Sequence, residues 1–121
     1  MIDIGMLDKF KNAYLELLKQ KAGKELDVDE LYLAEDYSIV ENLQRDIRNL
    51  NLTIELFFKA KESNDELAMQ AALIRISTFL SGIYGIFYQV GEDIDRFTLL
   101  PGTEDFPMGY QIPKHYNYSI K

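Results

Sequence analysis

The stretch that decides the fold is SIVENLQRDIRNLNLTIELFFKAKES, residues 38–63, followed without a linker by NDELAMQAALIRISTFLSGIYGIFYQV, residues 64–90. In the first half Val40, Leu43, Ile47, Leu50, Ile54 and Phe57 recur at alternating three- and four-residue steps. On a helix of about 3.6 residues per turn this spacing makes one continuous seam, as in a helix packed at a shallow angle on a partner. Ser38 and Glu41 match a capping box, in which each side chain satisfies a backbone N–H at the helix start. In the second half the seam is Met69, Leu73, Ile76, Leu80, Ile83, Phe87 and Val90. A second capping box, Ser63 with Glu66, sits between the halves, and Gly91 is placed to end the second. So short a connection forces two long helices to run antiparallel.

Working outward, a further helix is expected over residues 4–22. Leu7, Phe10, Tyr14 and Leu17 form its apolar face, with Lys9, Lys11, Glu16, Lys19 and Gln20 opposite and Gly23 as its cap. Residues 24–37 read as a connector with one helical turn near residues 30–34. Residues 97–121 hold all three prolines, Pro101, Pro107 and Pro113, together with Gly102, Gly109 and several tyrosines. Proline and glycine this dense exclude a long helix, and the segment is too aromatic for a plain solvated tail. The expected fold is all-α: a three-helix, bundle-like domain over residues 1–96, built on a long antiparallel hairpin. An extended C-terminal arm, residues 97–121, packs on the domain or on a partner.

Composition narrows the function classes. A chain of 121 residues is one ordinary domain that buries roughly two thirds of its unfolded surface. It contains no cysteine, so disulfides, thiolate nucleophiles and zinc sites with sulfur ligands are excluded. The formal charge is -7, and the thirteen lysines and arginines are scattered. Nucleic-acid binding wants a basic stripe to neutralise phosphates, and none is present. The first eight residues carry early acids and no long apolar run, unlike a secretory signal. A cytoplasmic protein is the expectation.

The third helix is apolar nearly all round. Between Leu67 and Gly91 the only charged residue is Arg75. A helix apolar on every side must be buried on every side. Gln70, Arg75 and Gln89 inside it, and acids at both ends, weigh against a membrane. The favoured cover is a second copy, giving a homodimer; the C-terminal arm is the competing one. Ala68, Ala71, Thr78, Gly82 and Gly85 form a stripe of small residues away from the seam, where two backbones could approach closely. Leu52 and Leu56, on the outer face of the second helix, extend the contact. Arg75 needs an anion if buried, and Glu55 is the acid expected to supply it.

The remaining signal is acidic. In an antiparallel hairpin the start of the second helix and the end of the third share one pole. Asp27, Asp29, Glu30, Glu35 and Asp36 would therefore lie near Glu92, Asp93 and Asp95. Such a pole suits a basic protein partner, because complementary charge speeds association and selects partners. No EF-hand loop continues from these acids. The all-α nucleotide pyrophosphohydrolases hold magnesium with an ExxE pair and a later ExxD pair on neighbouring helices. Glu62, Asp65 and Glu66 could stand for the first pair, and Glu92 with Asp95 for the second. One unbroken helix would hold the two sets apart, so that enzyme is kept only as the alternative. His115, the single histidine, has no visible catalytic companion, and no G-x-S-x-G or phosphate-cradling glycine loop occurs. The expectation is a non-enzymatic protein-interaction module without metal or cofactor. An acidic inhibitor, an immunity protein or a phage- or plasmid-type accessory protein would fit.

Overall fold

The computed structural model describes residues 3–22, 31–33, 36–100 and 106–120. Helix α1 is Gly5–Ala22, α2 is Ile39–Glu62 and α3 is Glu66–Asp95. Single 3-10 turns follow at Arg96–Leu99 and Lys114–Tyr116. Among the described residues there is no strand. The fold is all-helical, with α2 and α3 packed closely as a hairpin.

Local chemistry explains the helix ends. Ser38 caps α2, its hydroxyl accepting from the Glu41 N–H at 3.0 Å. The rest of that turn is satisfied from elsewhere in the fold. Asp8 of α1 accepts from the N–H of Ile39 at 2.7 Å, from Val40 at 3.4 Å and from the Ser38 hydroxyl at 2.8 Å. Four N–H groups at a helix start lack intrahelical partners, so one carboxylate both caps α2 and ties α1 to it.

At the other end the turn differs from the expected capping box. Ser63 is the C-cap of α2, and Asp65 is the N-cap of α3, accepting from the Ala68 N–H at 3.1 Å. Between them Asn64 takes a left-handed conformation, φ 52°. The Asp65 N–H donates to the Ala60 carbonyl at 2.9 Å and the Asn64 N–H to that of Lys61 at 3.2 Å. This is a Schellman motif with asparagine in the position glycine usually holds. Helix α3 also runs past Gly91, which is helical, to Asp95. Gly23 lies outside the described residues, as do residues 30 and 34 of the expected connector turn.

In all three helices the buried face is rotated from the expected seam. Along α2 the positions facing inward are Ile39, Leu43, Asp46, Leu50, Thr53, Phe57 and Ala60. Along α3 they are Met69, Ala72, Ile76, Phe79, Ile83, Ile86 and Val90. The steps still alternate between three and four, but in the opposite order. Ile47, Leu73, Leu80 and Phe87 are exposed as a result. On α1 the buried residues are Lys11, Tyr14, Leu15, Leu18 and Ala22, while Phe10 and Leu17 are exposed. Lys11, only 3% exposed, donates to the Tyr37 carbonyl.

The core lies at the open end of the hairpin. Leu33, Ile39, Leu43, Ile86 and Val90 form it, with Ile4, Leu7, Tyr37 and Ile83 packed against them. Toward the turn the buried positions are small ones, with Phe57 and Met69 half-buried beside them. Ala60 and Ala72 are buried, and so is Thr53, whose hydroxyl donates to the Asn49 carbonyl at 2.7 Å. Small side chains let two helix axes come close, which moves the larger ones to the flanks.

Among the described residues, the hydrogen bonds and ring contacts of the arm, residues 106–120, are local to it. A type II turn spans Pro107 to Tyr110, with Gly109 at φ 79° and the Tyr110 N–H on the Pro107 carbonyl at 3.3 Å. It brings the Phe106 and Tyr110 rings edge to face, centroids 5.5 Å apart. Asn117, left-handed at φ 56°, closes the second 3-10 turn. Phe106, Met108, Tyr110, Ile112, Tyr116, Tyr118 and Ile120 are all exposed.

Candidate functional site

Two features of this chain could do something beyond holding the fold: the acids at the open end, and the sides of the hairpin. The acids do not form one surface. Asp27, Asp29, Glu30 and Glu35 lie outside the described residues. Asp36, Glu92 and Asp95 are exposed. Asp93 is 1% exposed, which removes it from any docking surface. Its carboxylate accepts from the Tyr32 N–H at 3.0 Å and the Leu33 N–H at 2.8 Å, and Arg96 Nε stands 3.7 Å away. Asp93 therefore fastens residues 32–33 over the end of α3. A sequence signal for this existed: an acid in the last turn of a helix opposes the macrodipole, so it needs a compensating partner.

Tyr14 makes a second tie at the same end. Its hydroxyl donates to the carbonyls of Asp93 at 2.8 Å and Ile94 at 3.1 Å. Burial pushes this phenol above its ordinary range; the Phe97 N–H opposes the shift, and the charges of Asp93 and Asp95 add to it. Burial raises the Tyr37 phenol as well. On the outer face of α3 the Glu92 carboxylate is the largest influence raising Tyr88.

The carboxylates that could be compared with a magnesium site do not converge. Glu66 opens α3 and Glu92 and Asp95 end it, about 40 Å apart at 1.5 Å per residue. Among the described residues no group of three or more His, Asp or Glu gathers at metal-binding distance. Arg75 and Glu55 are both exposed, and no ion pair joins them among the described residues, so Arg75 is not the buried charge its apolar neighbours suggested.

The sides of the hairpin carry the larger signal. Stepping one residue on from a seam position turns a helix by about 100°. Because α2 and α3 run in opposite directions, that step leads to the same side of the pair on both. Val40, Ile47, Ile54 and Phe58 of α2 thus share a side with Leu73, Leu80, Tyr84 and Phe87 of α3. Ile47, Phe58, Leu73, Leu80, Tyr84 and Phe87 are exposed, and Val40 and Ile54 are half-buried. The polar positions interspersed there are Gln44, Asn51, Gln70 and Ser77, and Lys61, one step on from Ala60, puts a single exposed charge at the turn end.

The opposite side gathers the residues expected for self-association. Leu52 and Leu56 of α2 and Ala71, Thr78 and Gly85 of α3 fall on it together, with Arg45, Lys59 and Arg75 spaced among them. All are exposed except Gly85, which is half-buried. The Thr78 hydroxyl donates to the Ile74 carbonyl at 3.1 Å, so it asks nothing of a partner. Gly82, one step before Ile83, falls on the same side and is exposed. A Cβ there would sit 3.3 Å from Asp46 Oδ2, so Gly82 lies at the edge of the α2–α3 contact. That contact fixes which side is which. Sequence reasoning missed the first, larger apolar side, because it assigned Ile47, Leu73, Leu80 and Phe87 to the core.

No family model, curated protein or solved structure matches this chain. The whole of α3 is long and apolar enough to cross a membrane by length and composition, and only 11% of its most apolar 18-residue window is buried. Monomeric soluble proteins rarely expose contiguous apolar surface on this scale.

Proposed function

We propose that this protein is a non-catalytic interaction module that assembles through the sides of its α2–α3 hairpin, first of all with a second copy of itself. The supporting observation is the exposure of α3: Leu67, Leu73, Ile74, Leu80, Tyr84 and Tyr88 each present half or more of their surface to solvent. One side of the hairpin, with Ala71, Thr78 and Gly85, suits close approach of another pair of helices. A hairpin about 36 Å long and roughly 18 Å wide offers about 650 Å² per copy, near the 800 Å² of a standard interface. The exposed acids Asp36, Glu92 and Asp95 give the open end a preference for a basic partner.

The apolar length of α3 also favours a membrane as its cover. Helix α2 argues against that. Its outward positions include Glu41, Arg45, Arg48, Glu55 and Lys59, which would enter the bilayer with α3 at a cost of several kcal/mol.

Light scattering at micromolar concentration tests the proposal. The expected mass is twice 14.1 kDa. The variant Leu52→Lys/Leu56→Lys should keep its helix content and fall to a single chain, since exposed leucines contribute little to the isolated fold. A wild-type mass of one chain overturns self-association. Flotation of the wild-type chain with lipid vesicles, resistant to salt, moves the assignment to a membrane.

A further inference from the structure

Pairing two hairpins through the Leu52, Leu56 and Ala71 side leaves the other side bare. The same chain carries an unplaced apolar segment. Residues 106–120 present seven large apolar side chains to solvent, and among the described residues their ring contacts and hydrogen bonds stay within the arm. We propose that the arm of one copy lies along the Ile47, Phe58, Leu73 and Leu80 side of the hairpin of a second copy, and that the exchange is reciprocal. This rests on the self-association argued above.

Three observations support it. The first is charge. From Phe106 to Lys121 the sequence holds Lys114 and Lys121 and no acid, so the other 105 residues hold eleven basic against twenty acidic residues, a net charge of -9. Glu62, four residues on from Phe58, and Glu66, seven before Leu73, border the apolar side at the turn end beside Lys61; all three are exposed, and the acids outnumber the base. A basic segment and an acidic body attract, whereas two bare acidic bodies repel.

The second is reach. Beyond the Pro107–Tyr110 turn, residues 110–113 are extended and span roughly 13 Å at 3.3 Å each, which matches the roughly 10 Å from Leu73 to Leu80 along α3. The third is chemistry. The receiving side is apolar with uncharged polar groups at Gln44, Asn51, Gln70 and Ser77, and the arm offers Tyr110, Tyr116 and Tyr118. Tyrosine buries a large ring and keeps a hydroxyl for such groups.

The chain has no cysteine, so single thiols can be placed at will. Leu80→Cys and Tyr110→Cys, both at exposed positions, are made in separate full-length chains, mixed, and treated with a short bismaleimide. The expected product is a linked pair of the two different variants, several-fold more abundant than either self-linked pair. In addition Tyr110→Ser/Ile112→Ser should weaken dimerisation at least tenfold without changing helix content. The doubly substituted chain Leu80→Cys/Tyr110→Cys is the control. If it links within itself at single-chain mass, the arm covers its own hairpin and the exchange is overturned. A dimeric mass with no link between the mixed variants also overturns the exchange, while self-association stands. A single-chain mass for the unsubstituted protein overturns the self-association beneath it.

Discussion

Replacing Asp93 by alanine should destabilise the protein more than any other single change at the open end. The side chain is almost wholly buried and accepts two backbone N–H groups, from Tyr32 and Leu33, at 3.0 and 2.8 Å. Hydrogen bonds to a charged group contribute about 1.5–3 kcal/mol each, and a buried donor left without an acceptor costs about 1–3 kcal/mol. Asp93→Ala removes the acceptor from both donors. It also removes the carboxylate beside Arg96, whose Nε lies 3.7 Å away. A loss of about 3 kcal/mol follows, with a ceiling near 5 kcal/mol. For a chain of this length that is about 12 °C in Tm. Urea unfolding followed by circular dichroism measures it, provided the slope is unchanged. Asp93→Asn keeps one acceptor and turns an amide toward the other N–H, so roughly half the loss is expected. Glu92→Ala, one residue earlier and exposed, should stay within about 0.5 kcal/mol. Hydrogen exchange gives an independent reading, because the amides of residues 32 and 33 should lose protection before the α2–α3 contact does. A loss under about 1 kcal/mol for Asp93→Ala, with those amides still protected, would refute the assignment of Asp93 as the tie between connector and α3.

Other outcomes follow from the same geometry. Gly85→Ala should stabilise by about 0.5–1 kcal/mol in chemical denaturation, because a Cβ there meets nothing within 4 Å and α3 gains a better helix former. Gly82→Ala should fall short of that gain, its Cβ arriving 3.3 Å from Asp46 Oδ2; equal gains at both positions would contradict the placement of Gly82 against α2. Asn64→Gly should be neutral or slightly stabilising and Asn64→Val should cost about 1 kcal/mol or more, since φ 52° suits glycine and strains a branched side chain. Tyr14 and Tyr37 have phenols raised by burial, so unfolded chains lose those protons first. Their contribution is complete below about pH 10 and is lost as pH rises through the higher folded values. Tyr14→Phe should cost about 1 kcal/mol at neutral pH and flatten the alkaline decline; an unchanged alkaline slope would exclude Tyr14 as its source.

Much of the candidate surface was open to sequence reasoning, but with its parts misassigned. Leu52, Leu56, Ala71, Thr78 and Gly85 were recognisable as outward residues because they fall off the seam under either register. Leu73, Leu80 and Phe87 were not, because a long aliphatic or aromatic side chain at a seam position reads as core. Asp93 read as a surface acid because its partners, the N–H groups of residues 32 and 33, stand some sixty residues away in the chain.

What the chain determines locally is the set of helices, the caps at Ser38 and near Ser63, and the antiparallel hairpin. Each depends on residues within a turn or two of one another, where helical spacing, a side-chain acceptor or a short connection acts directly. What tertiary packing decided is which edge of each apolar stripe turns inward. Alternating steps of three-then-four and four-then-three differ by one residue at every second position, so on a helix apolar nearly all round both seams are hydrophobic. Close approach of α2 and α3 settles the choice by admitting Thr53, Ala60 and Ala72 and turning Ile47, Leu73, Leu80 and Phe87 outward. On α1 it buries Lys11 against the Tyr37 carbonyl while Phe10 stays exposed. The free energy of two helices fitting together belongs to the pair, and no single segment carries it.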